Sequence, residues 1–132
     1  MTFEKEKELL VNKIFLVCLK KKLKIITVES CTGGLISSCI TSFPGSSMIF
    51  EAGYVTYSNE SKLRLLNVDR NNLKEHGAVS LKVAEQMATN IIKDDKTVSI
   101  AVTGVAGPGS SEDKPIGLIW LASFKRKKMI TK

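Results

Sequence analysis

The stretch LKIITV, Leu23 to Val28, constrains the fold of this chain more than any other. It is short, apolar and rich in β-branched residues, the pattern of a strand buried on both faces rather than on one. Such a strand needs apolar helices against it, and both of its neighbours qualify. Leu9, Leu10, Ile14, Val17 and Cys18 recur at near-helical spacing between Phe3 and Lys22. Leu35, Ile36, Cys39, Ile40 and Phe43 form a second helical face, which FPGSS terminates with proline and glycine.

The same alternation continues along the chain. MIFEAGYVTYS (Met48 to Ser58) is rich in strand formers, with Gly53 marking a bulge or a close backbone approach. NESKLRLLNV reads as a short helix, and Ser80 caps a longer one whose stripe is Val83, Ala84, Met87, Ala88 and Ile91. Thr97 to Val102 and Ile116 to Phe124 are strands around a loop of glycine, proline and serine. Strands alternating with helices predict an α/β fold. The 132 residues show no internal repeat and no dividing linker, so one domain is expected, domains commonly holding roughly 100–150 residues.

Composition narrows the function classes. No uncharged apolar run approaches the roughly 20 residues of a membrane helix, so no membrane partner is expected. MTFEKEKELL alternates acid and base where a secretory signal needs a basic start and an apolar block; a cytoplasmic protein is expected. Cys18, Cys31 and Cys39 are odd in number and lack paired ligand spacing, so reduced thiols are expected and neither disulfides nor a metal site. The net charge of +7 is unevenly spread: residues 1–24 carry +4, residues 121–132 carry +5 and the remainder −2. Basic, solvated tails are the expectation, and nucleic acid is not the expected partner, because only Phe124 interleaves with KRKK.

Three polar segments carry candidate chemistry. In VESCTGG, between a strand and a helix, Ser30 and Thr32 offer hydroxyls and Gly33 and Gly34 a close backbone approach, at the helix end where an anion is favoured. The same residues also suit an ordinary helix cap and tight turn. TGVAGPGSSEDKP follows a strand, but its glycines match neither the dinucleotide fingerprint nor the P-loop. PGSS and YVTYSNESK contribute Ser46, Ser47, Tyr54, Tyr57, Ser58 and Lys62. A serine becomes a nucleophile only when something takes its proton, and a lysine does so only when burial or nearby positive charge lowers its pKa. A rival reading makes Cys31 a thiolate with His76, the one histidine, as base.

Taken in order and spacing, VESCTGG, PGSS, GYVTYSNESK, LLNV, HGAVS, AVTGVAGPG and KPIG resemble the CinA C-terminal domain family, whose members act as nicotinamide mononucleotide (NMN) amidohydrolases of the PncC type. The resemblance implies a three-layer α/β/α sandwich over residues 1–132. It implies NAD-salvage chemistry, in which the carboxamide of NMN is hydrolysed to nicotinic acid mononucleotide and ammonia, with neither cofactor nor metal. It matches Ser47 to the nucleophile, Lys62 to its proton acceptor and Tyr57 to a relay or ring-packing residue, with Ser30 as the alternative nucleophile. Ser30, Thr32 and Gly33 are matched to substrate binding at the helix N-terminus, and Thr103 with Gly104 to the opposing loop. The expected partner is therefore a small pyridine nucleotide, with a homo-oligomer left open. KRKKMITK departs from the family pattern of a final arginine-bearing segment and helix. Arg126 and Lys127 are weak substitutes for its phosphate clamp, and a catalytically impaired nucleotide-binding remnant is the alternative function.

Overall fold

The computed structural model describes residues 1–132. Five α-helices and five strands follow in the order α1 (Phe3–Lys21), β1 (Lys24–Glu29), α2 (Leu35–Thr41), β2 (Phe50–Val55), α3 (Asn59–Leu66), α4 (Arg70–His76), α5 (Leu81–Asn90), β3 (Thr97–Gly104), β4 (Ile119–Lys125) and β5 (Lys128–Thr131), with a one-turn 3-10 helix at Ser46–Met48. The sheet order is β2-β1-β3-β4-β5. The first three strands are parallel and the last two antiparallel. β1 therefore lies between two parallel partners, the position its continuous apolar character requires.

Each face of β1 looks into a different core, because successive side chains of a strand point opposite ways. Val28 joins Leu66, Val83, Met87 and Ala101 in the larger cluster, beneath α3, α4 and α5. Ile25 joins Cys18, Leu23, Ile40 and Ile49 in the smaller one, beneath α1 and α2. Helices thus cover both faces, giving the three layers. On the α1–α2 face the outer strands stay open to solvent, with Ile119, Leu121 and Ile130 exposed.

Local signals set the helix boundaries. Side-chain oxygens of Thr2, Ser58, Asp69 and Ser80 accept from the backbone N–H three residues on, beginning α1, α3, α4 and α5. Gly53 marks a close approach rather than a bulge: a Cβ there would stand 2.5 Å from Ser37 Oγ and 2.9 Å from Thr27 Oγ1. The register irregularity falls before it, where Ile25 and Ile26 pair with Phe50 and Ala52 and leave Glu51 unmatched.

Two expectations need correction. α4 has no counterpart in the periodicity, since its seven residues bury only Leu73. The basic C-terminal segment is no solvated tail: β5 pairs with β4 through a turn at Arg126 and Lys127, whose φ values of 51° and 65° match the left-handed pair of a two-residue hairpin.

Candidate active site

The chain passes from β1 through α2 to β2 on one side of β1, and through α3, α4 and α5 to β3 on the other. Beyond the carboxyl ends of β1 and β3, the connections leave in opposite directions and open a crevice, the usual ligand position in an open α/β sheet. A cavity of about 280 Å³ lies there, lined among others by Ser30, Cys31, Tyr57, Lys62, Thr103, Gly104 and Glu112.

Lys62 organises this cavity. α3 begins at the Ser58 cap, so its first turn carries the Lys62 side chain back over the end of β2, where only 1% of the residue is exposed. Its Nζ contacts Thr56 O at 2.7 Å, Tyr57 O at 3.3 Å and Ser30 Oγ at 3.0 Å. The two carbonyls can only accept, whereas the serine hydroxyl can donate or accept. An ammonium can give its three N–H groups to these three oxygens, and a neutral amine two to the carbonyls with its lone pair for the hydroxyl, so the surrounding accommodates either form. Burial depresses the lysine pKa below its ordinary value, against smaller opposing effects of the charges at Glu112 and Cys31. The unfolded chain then binds a proton that the folded chain releases, and stability rises with pH between the two lysine pKa values.

Ser47 does not meet Lys62. It precedes β2, whose first residue pairs with Ile25 near the start of β1, and its carbonyl accepts from Lys24 Nζ at 3.3 Å. Ser30 and Lys62 lie beyond the opposite end of the same strands, about 20 Å away at the rise of a six-residue strand. The expected Ser47–Lys62 pair is thereby replaced by Ser30–Lys62. Tyr57 lines the cavity with an exposed ring (68%) and holds Lys62 through its carbonyl. Ser30 Oγ and Lys62 Nζ touch directly, without the Tyr57 phenol between them.

The helix N-terminus is also not the anion site expected of it. Glu29, fully buried at the end of β1, accepts from Ile36 N (2.9 Å), Ser37 N (3.0 Å), Ser37 Oγ (2.7 Å) and Thr32 Oγ1 (2.7 Å). Burial alone would raise this carboxyl's pKa, but those bonds more than offset it and hold it below the ordinary range. The protein's own carboxylate occupies the first turn of α2. Thr32 is spent on it, and neither Thr32 nor Gly33 lines the cavity. The amides of Cys31 and Thr32 donate to no backbone carbonyl.

Thr103 and Gly104 line the cavity. Thr103 donates to Ala78 O at 2.9 Å, and Gly104 is required because a Cβ would meet Leu118 O at 2.9 Å and Cys31 Sγ at 3.0 Å. Glu112 escapes sequence reasoning, its only signal being a charge within SSEDK. It accepts from Ala78 N (2.7 Å) and Val79 N (3.2 Å), while Lys114 donates to the carbonyls of His76 and Val79. These bonds pin the glycine-rich loop over the cavity. The Cys31–His76 reading fails on placement: burial pushes the Cys31 thiol up, and His76 is absent from the lining. Arg126 and Lys127 sit in the β4–β5 turn at the far end of the sheet, where Arg126 donates to Asp95 O, so neither reaches the cavity.

The family model of the CinA C-terminal domain matches residues 7–132. The chain belongs to the CinA C-terminal domain family. Among CinA relatives, a putative competence-damage inducible protein of Caldicellulosiruptor bescii is 44% identical over 118 residues, covering 88% of this chain and 29% of that protein. A CinA-like protein of Colwellia psychrerythraea is 54% identical over 102 residues, covering 76% and 24%. The chain thus spans less than a third of the length of these relatives. The crystal structure of a CinA superfamily protein from Escherichia coli superposes with a TM-score of 0.91 at 33% identity, covering all of this chain and 78% of that one. The competence/damage inducible protein CihA from Agrobacterium tumefaciens gives 0.88 at 38% identity, covering 96% and 78%. The α/β architecture is accordingly that of the CinA superfamily.

Proposed function

We propose that this CinA domain is an amidohydrolase that converts nicotinamide mononucleotide to nicotinic acid mononucleotide and ammonia, with Ser30 as nucleophile and Lys62 as its base. The observation that carries this reading is the 3.0 Å contact between Lys62 Nζ and Ser30 Oγ in the wall of the cavity. Neutral Lys62 takes the hydroxyl proton as Ser30 Oγ attacks the carboxamide carbon, forming a C–O bond and placing negative charge on the former carbonyl oxygen. The amide of Cys31, which follows the nucleophile and lines the cavity, supplies a donor for that oxygen. Collapse breaks the C–N bond, and the proton held by Lys62 leaves with the nitrogen as ammonia. Water then attacks the acyl-serine and gives one proton to Lys62, which returns it to Ser30 as the ester bond breaks; the carboxylic acid so formed loses its own proton to solvent and leaves as the carboxylate. The exposed ring of Tyr57 supplies an apolar surface for the pyridine.

The test is turnover of NMN by the purified chain, with ammonia and nicotinic acid mononucleotide appearing in equal amounts. Because only neutral Lys62 is active, the rate rises roughly ten-fold per pH unit below the lysine pKa and levels off above it. A rate that falls across the alkaline limb contradicts a lysine base.

One observation favours the remnant reading. Lys62 and Glu112 are the only charged residues of the cavity lining, so no guanidinium there clamps a phosphate. Saturable NMN binding without turnover is its signature, and rapid turnover removes it.

A further inference from the structure

The two basic ends of the sequence meet in the fold. Lys21 and Lys22 close α1, Lys96 precedes β3, and Lys125 and Arg126 lead out of β4. Because Lys24 pairs with Thr97, and the far end of β4 lies beside the start of β3, these segments converge at the amino end of the parallel strands. This is the end opposite the Ser30–Lys62 cavity, about 25 Å away along the eight residues of β3. There the five cations, with Leu23 and Asp95, line a groove of about 390 Å³.

Asp95 is the one carboxylate among the five cations of the lining, so the groove keeps a net positive charge. The three ion pairs of the structure are Lys7–Glu4, His76–Glu75 and Lys114–Glu112, none of them at this end. The nearby carboxylate of Asp94 is engaged by Lys96 N (2.7 Å) and Thr97 Oγ1 (2.9 Å), and Arg126 contacts a backbone carbonyl of Asp95 rather than its carboxylate. Like charges gathered this closely repel, and an external polyanion relieves the repulsion.

Because the fold gathers cations of both ends into one groove, and against the expectation from their separation in sequence, we infer that this groove binds the phosphate backbone of a nucleic acid, independently of base sequence. The end of α1 stands on one side of the groove and the β4–β5 turn on the other, with Lys96 between them. Cations set in a row across the neighbouring ends of β1, β3 and β4 suit a linear chain of phosphates better than a flat lipid surface. No aromatic side chain lines the groove, so nothing there stacks on or reads bases. The inference does not rest on the amidohydrolase reading.

The experiment is fluorescence anisotropy with labelled 20-nucleotide single-stranded and duplex DNA of arbitrary sequence, titrated with the whole chain at 50 and 200 mM salt. Five phosphate contacts predict that affinity falls about 100- to 500-fold between these conditions. The double variant Lys21→Glu/Lys96→Glu, both positions exposed, is expected to weaken binding at least ten-fold and to reduce the salt slope by about 2. Its melting temperature is expected to remain that of the unmodified chain. The inference is overturned by no binding at 50 mM salt, by affinity that ignores salt, or by equal binding of a stably folded double variant. Capture by phosphatidylserine vesicles without DNA binding also overturns it and makes the groove a membrane contact.

Discussion

Ser30→Ala is expected to lower kcat/KM on NMN by at least about 10⁴-fold, the loss typical when a hydroxyl nucleophile is removed from a unit that acts together. Ser47→Ala is expected to stay within about two-fold of the unmodified chain, as for an exposed side chain outside any site. The contrast follows from chain geometry. A serine before β2 and a lysine after it stand at opposite ends of one strand, whereas a serine after β1 and a lysine after β2 share an end because the two strands are parallel. Steady-state ammonia release by the two variants checks this. Equal losses at both positions would mean that the contact between Ser30 and Lys62 is structural.

The largest stability effect is expected at Glu29. Its carboxylate receives two amides and two hydroxyls, and Glu29→Ala leaves the part-buried donors of Ile36 and Ser37 without their acceptor. A loss of about 3–4 kcal/mol is expected, since each buried donor left unpaired costs about 1–3 kcal/mol. For a chain of this size that corresponds to a melting temperature lower by roughly 10–15 °C. The effect also has a pH signature. The folded-state pKa of Glu29 lies below the unfolded one, so its contribution is present above the unfolded pKa and is lost as pH falls through the folded value. Thermal melts from neutral to acid pH should show the variant and the unmodified chain converging. A constant difference across that range would mean that the carboxylate charge contributes nothing.

Much of this fold was legible because β1 carries an unambiguous signal: LKIITV demands cover on both faces, and the helices either side of it carry apolar stripes to provide it. The elements that escaped were those whose signal is tertiary. α4 buries one leucine, and β5 exists because β4 offers it an edge to pair with across a turn of two basic residues. The site divides in the same way. The family resemblance implied site roles for Lys62, Tyr57, Thr103 and Gly104, and all four line one cavity, but telling whether Ser30 or Ser47 stands beside Lys62 needed the direction of the strands. VESCTGG read as an open anion site because sequence shows the glycines and hydroxyls without showing that Glu29 turns inward to occupy the helix end. Glu112 was invisible for a similar reason, being 34 residues from the amide of Ala78 that it holds.

The base assigned to Lys62 is most directly tested by comparing NMN turnover of the unmodified chain and Lys62→Arg across neutral to alkaline pH. Arginine keeps a positive charge and hydrogen-bond donors but does not give up its proton in this range. A rising pH profile in the unmodified chain and no turnover by a folded Lys62→Arg at any pH is the predicted result; appreciable turnover by Lys62→Arg would contradict it, showing that charge beside Ser30 suffices and that the lysine is not the proton acceptor.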